Sequence, residues 1–111
     1  MRMRFAVIAT LAWSASVLAA AATAPSLSSE REAELRYLVR QDCGSCHGMT
    51  LQGGLGPALT PEALAGKPNA LLNATILEGL PGTAMPPWRP FLSDEESAWI
   101  VEQLTQGTLG R

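Results

Sequence analysis

Five consecutive residues, Cys43-Gly44-Ser45-Cys46-His47, hold both cysteines of the chain and its only histidine. Whatever fold forms must be organised around what this pentad binds. Three chemistries use the C-x-x-C-H pattern. A redox dithiol of the thioredoxin kind sits in a βαβ unit, and the chain has no β-branched runs from which to build one. A structural zinc wants four ligands, so with no further Cys or His a carboxylate or a second chain would have to complete the site. Covalent attachment of a c-type haem accounts for every residue. The two thiols form thioethers with the porphyrin vinyl groups, the two-residue spacing lets one helical turn present both sulfurs to one edge of the macrocycle, and the adjoining histidine is directed at the iron. Cys43 and Cys46 are therefore read as haem-attachment residues, and His47 as the proximal iron ligand of one haem c.

The opposite axial position has few candidates. Beyond the N-terminal segment the methionines are Met49 and Met85. Met49 is two residues from His47 and on the wrong face to reach round. Met85 lies in "GTAMPPW", a stretch that cannot pack as helix, and is the expected sixth ligand. The bland alternative is a methionine filling an irregular gap, and under stress Lys67 or the α-amino group could replace it. A thioether suits both iron oxidation states without losing a proton, and His/Met ligation raises the reduction potential. A filled sixth position, with no second histidine for acid–base work, favours electron transfer over catalysis. The glycines of "GGLGPAL" allow close backbone approach, and the Pro57 carbonyl is free to accept from the second nitrogen of His47, unless it is only part of a turn. The N–H groups of Trp88 and Arg89 are either donors to a haem propionate or part of the packing. Tyr37 and Trp99 are expected as core aromatics where the terminal helices cross.

The N-terminus reads "MRMRFAVIATLAWSASVLAAAATAPS". Arg2 and Arg4, an uncharged and mostly apolar run from Phe5 to Leu18, and small residues at 19–22 give the layout of a secretory signal peptide. Cleavage is expected after Ala22, with residues 23–111 forming one domain whose core spans about 29–107. A retained anchor is the alternative, but the run is short for a full span of roughly 20 apolar residues. A secreted location agrees with haem c, which is attached outside the cytoplasm. Two of the eight Lys and Arg fall in the signal, leaving six against ten Asp and Glu and a net charge of −4. No basic patch remains for nucleic acid. About 89 residues make a marginal core, for which a covalent cofactor is an apt staple.

Helix and turn signals dominate the rest. "SSEREAELRYLVRQ" has Ser29 as N-cap with Glu32 at the capping-box spacing, and Ala33, Leu35, Tyr37, Leu38 and Val39 as its apolar stripe. "TPEALA" is a short helix with Thr60 as cap and Pro61 at the first position. Pro68 to about Glu78 is a third, stopped by Gly79, with Leu71, Leu72, Ala74, Thr75 and Ile76 on its inner side. "SDEESAWIVEQLTQG" has a capping box in Ser93 and Glu96, and ends at Gly107. Ala98, Trp99, Val101 and Leu104 or Ile100 form its apolar side. The fold class is all-α.

With "CGSCH…GP…MPP" and a helix at each end, the chain resembles a class I c-type cytochrome over roughly residues 29–107. "QDCGSCHGMTLQGGLGPALTPEAL" and "GTAMPPWRPFLSDEE" resemble the small cytochrome c-55X, or NirC, type encoded with cytochrome cd1 nitrite reductase of denitrifying bacteria. The resemblance implies crossed terminal helices around one haem, thioethers at Cys43 and Cys46, iron ligands His47 and Met85, and a supporting carbonyl at Pro57. It implies a periplasmic, monomeric carrier of single electrons whose partners are cytochrome cd1 nitrite reductase or haem d1 biosynthesis proteins. A dedicated haem d1 assembly factor, a carrier for another periplasmic oxidoreductase, and a small peroxidase-like protein in which Met85 dissociates are the other readings.

Overall fold

The computed structural model describes residues 26–110. The expected signal peptide and its cleavage point lie outside the described residues. Within them the structure is helical, with no strand, and no helix is long and apolar enough to cross a membrane.

Helix α1 spans Ser29–Leu38, α2 Gly44–His47, α3 Pro61–Leu64, α4 Asn69–Glu78 and α5 Asp94–Gln106. Between α1 and α2 the chain does not leave the helix. Val39–Cys43 is one turn of π-helix, in which the Gly44 N–H donates to the Val39 carbonyl five residues back. The buried positions accordingly run Leu35, Val39 and then Gly44. Sequence periodicity does not foresee this wider step.

Local signals set most helix ends. Thr60 accepts from the Ala63 N–H ahead of Pro61. Ser93 and Glu96 form a complete capping box, and Gly107 ends α5 in the left-handed region. The N-cap of α1 is Ser28 rather than Ser29: the extended Ser28 accepts from the Arg31 N–H, and its carbonyl takes the Glu32 N–H.

The core joins Leu35 and Val39 to Leu51, Leu64, Leu77, Leu92, Ile100, Leu104 and Leu109. Helix α5 packs against α4 and α3. It meets α1 through polar clasps. Arg31 Nε donates to Glu96 Oε1 at 2.5 Å, and Arg36 donates to Gln103 at 3.1 Å while lying 5.1 Å from the Trp99 ring centroid. Trp99 sits where the terminal helices meet, but Tyr37 is 66% exposed and takes no part in the core. Ala33, Leu71, Ala74 and Ala98 are likewise exposed. Leu77 is the buried residue of α4. On α5, Ser97 is fully buried and donates to Asn73 Oδ1 of α4 at 2.9 Å.

The Glu96 clasp makes stability pH-dependent. Its hydrogen bond from Arg31, and next that from the Ser93 N–H, hold its carboxyl below the ordinary 4.5. A carboxyl depressed by folding contributes stability that is complete above its ordinary value and lost as pH falls through the folded one. Glu96→Gln is expected to lose about 1 kcal/mol at neutral pH. It should also lose less than the parent as the pH is taken down to about 3. Urea unfolding at several pH values checks both.

Candidate functional site

The π-turn and α2 carry the cysteine motif as helix, so Cys43, Cys46 and His47 lie on one rigid turn. Both cysteines are free thiols, Cys43 half-buried and Cys46 exposed. Burial first, then the charge of Asp42, push the Cys43 thiol up to about 11.

After His47 the chain turns back over its own histidine. The Gly53 N–H donates to the His47 carbonyl and the Gly56 N–H to the Cys46 carbonyl, both at 2.7 Å. Buried Leu51 (3% exposed) is the hinge of this loop. It sits at φ 60, a left-handed conformation that costs a bulky residue roughly 1–2 kcal/mol. Its N–H donates to Gly48 and its carbonyl accepts from Leu59, both at 2.8 Å.

The folded-back loop brings the Pro57 carbonyl 2.7 Å from His47 Nδ1. A carbonyl can only accept, so Nδ1 carries a proton, and in the neutral imidazole Nε2 is then the nitrogen with the free lone pair. Gly56 is packed on the ring: a Cβ there would stand 2.8 Å from both Cε1 and Nδ1. The imidazole is thus fixed in tautomer and plane, as a metal-ligating histidine requires.

Met85 is held on a separate frame built on the end of α4. The Leu80 N–H donates to the Met85 carbonyl at 3.1 Å, and the Trp88 and Arg89 N–H groups donate to Ile76 and Leu77 at 3.0 and 3.1 Å. Gly79, at φ 70, lies under the loop; a Cβ there would stand 2.9 Å from the Met85 carbonyl oxygen. Met85 itself is half-buried. Met49 is placed otherwise, its sulfur against the cysteine helix, 3.6 Å from where a Gly44 Cβ would be.

Of the two residues expected as propionate donors, Trp88 and Arg89, the backbone N–H groups are both used in fastening the loop to α4. The Arg89 guanidinium is paired with Glu78 and, at 3.4 Å, with Asp94, which raises its pKa above the ordinary range. The Arg89 side chain is thus exposed and ion-paired. The Trp88 ring is half-buried, edge-on to Phe91 at 5.9 Å between centroids.

Among the described residues no three His, Cys, Asp or Glu side chains converge as a metal-binding group, so zinc finds no further ligands there. A cavity of about 180 Å³ between the C-terminal tail and α3, lined by Leu51, Leu59, Pro61, Leu104 and Leu109 among others, includes none of Cys43, Cys46, His47 and Met85. The donor set fits a covalently attached haem instead: two thiols on one helical turn, an imidazole with Nε2 bare, and a thioether on a braced loop.

Residues 30–103 match the family model described as cytochrome c oxidase, cbb3-type, subunit III. Cytochrome c55X of Pseudomonas aeruginosa is 52% identical over 102 residues, covering 87% of this chain and 86% of the relative. The solved structure of the c-type cytochrome NirC superposes with a TM-score of 0.74 at 55% identity, covering 75% of this chain and 98% of that one. A dihydro-heme d1 dehydrogenase of Pseudomonas aeruginosa is 39% identical over 75 residues, which is 68% of this chain but 15% of that much longer protein.

Proposed function

The chain belongs to the c-type cytochromes, in the small cytochrome c55X or NirC branch, and from this we propose that it is a periplasmic carrier of single electrons, with one haem, working for the haem d1 nitrite reductase system of denitrification. Membership of a cytochrome c family implies covalently bound haem c. In the proposal Cys43 and Cys46 would hold the haem through thioethers, His47 Nε2 and the Met85 sulfur would ligate its iron, and the Trp88 indole N–H would be free to donate to a propionate. Bound there, haem c supplies a one-electron ferric/ferrous couple.

The observation that carries the reading is that both candidate ligands are braced, His47 through its ring and Met85 through its backbone. Pro57 and Gly56 fix the His47 ring, and the Leu80–Met85 bond and Gly79 hold the opposite loop. Groups that cannot move need little reorganisation when the iron changes oxidation state, which suits electron exchange. With Met85 as the second ligand no open position would be left for a substrate, which disfavours the peroxidase-like alternative.

A role in haem d1 maturation is favoured by a separate observation: a dihydro-heme d1 dehydrogenase contains a segment similar to this chain. Deleting the gene in its host and determining the haem d1 content of purified nitrite reductase tests the context. A reductase lacking haem d1, or holding an immature form, is the outcome expected for maturation. A fully loaded reductase in cells slow to reduce nitrite is expected of an electron donor. Wild-type rates and full loading would count against both.

A further inference from the structure

Six residues, Leu80 to Met85, form a closed loop. The Leu80 N–H donates to the Met85 carbonyl and the Thr83 N–H to the Leu80 carbonyl, both at 3.1 Å. The Thr83 hydroxyl bridges the same two residues: it donates to the Leu80 carbonyl at 2.7 Å and accepts from the Met85 N–H at 3.2 Å. Both backbone groups of Met85 are thereby engaged, the carbonyl by the main chain and the N–H by one side chain. Thr83 is exposed and outside the core, so packing does not account for its hydroxyl. With Gly79 closing the loop from below, the Met85 N–H depends on Thr83 for its anchor.

We propose that Thr83 is a positioning residue for Met85: its hydroxyl fixes the Met85 backbone so that the thioether is presented in one place and resists displacement. The proposal rests on reading Met85 as the axial ligand. An exposed hydroxyl adds little to global stability, but its loss falls on the local opening of the loop. That opening competes directly with added ligands.

The test is imidazole titration of the purified ferric holoprotein, followed by the sulfur–iron charge-transfer absorption. Thr83→Val keeps the side-chain shape and removes both hydrogen bonds. It is expected to bind imidazole about five- to tenfold more tightly than the parent. Thr83→Ala should match it, and Thr83→Ser should return to within about twofold of the parent. Thr105, whose hydroxyl donates to the Glu102 carbonyl on α5 at 2.9 Å, serves as control: Thr105→Val should leave imidazole affinity unchanged even if thermal stability falls. Parent-like affinity in both Thr83→Val and Thr83→Ala would overturn the proposal, as would failure of Thr83→Ser to restore it. Met85→Ala separates the two layers. Tighter imidazole binding there, with no effect at Thr83, removes only the brace. An unchanged spectrum and affinity in Met85→Ala removes the ligand assignment itself.

Discussion

Met85→Ala is expected to lower the midpoint reduction potential by on the order of 0.1 V, a fraction of the ~0.8 V that axial ligands command across haem proteins. The reduced variant should bind carbon monoxide readily, whereas the parent should not. A thioether is a soft, neutral ligand that favours ferrous iron. Water or a nitrogen ligand such as Lys67 would favour the ferric state instead. The loop itself should survive, because the Leu80–Met85 bond, the contact at Gly79 and the Trp88 and Arg89 anchors involve backbone. The change would therefore be one of ligation, not of fold. Potentiometric titration and a carbon monoxide difference spectrum check it; a variant with the native potential and visible spectrum would end the case for Met85.

Gly56→Ala is expected to destabilise the holoprotein by about 2–4 kcal/mol and to reduce the fraction of chain carrying haem. The new Cβ would lie 2.8 Å from two atoms of the His47 ring, a clash for which the ring or the loop must move. Overpacking of this kind costs about 1–3 kcal/mol, and the Nδ1–H···O=C Pro57 bond, displaced with it, about 1 more. Gly56 has no positive φ, so space is the issue rather than backbone strain. Urea unfolding with haem quantification is the measurement. A variant as stable and as fully loaded as the parent would mean that the loop does not clamp the imidazole.

Features specified by a few neighbouring residues were the legible ones. Thr60 with Pro61, Ser93 with Glu96, Gly79 and Gly107 mark helix ends because capping is a contact over three or four residues. The Cys43–His47 pentad was conspicuous for the same reason. Burial was harder, since it depends on what lies across the interface. Ser97 is interior because Asn73 of α4 meets its hydroxyl, and no property of α5 alone announces that partner. Tyr37 was misplaced for the converse reason: α1 reaches α5 through Arg31 and Arg36, which donate to Glu96 and Gln103, and the Tyr37 ring stays exposed. At the start of α1 two adjacent serines compete, and the extended backbone at Ser28 decides between them. Thr83 escaped notice because its partners lie in an irregular loop that periodicity does not describe.

The single π-turn before the cysteines alters how length should be counted along this chain. In an unbroken α-helix the stripe begun by Leu35 and Val39 would continue to Cys43 and Cys46. The wider step hands the buried place to Gly44 and turns the cysteines aside by about one residue's rotation, roughly 100°. A residue more or fewer in this stretch is therefore a change of angle rather than of extent. In a hybrid between this chain and a relative, a junction between Leu35 and His47 must conserve the count, or Cys43 and Cys46 will face another direction on an otherwise intact helix.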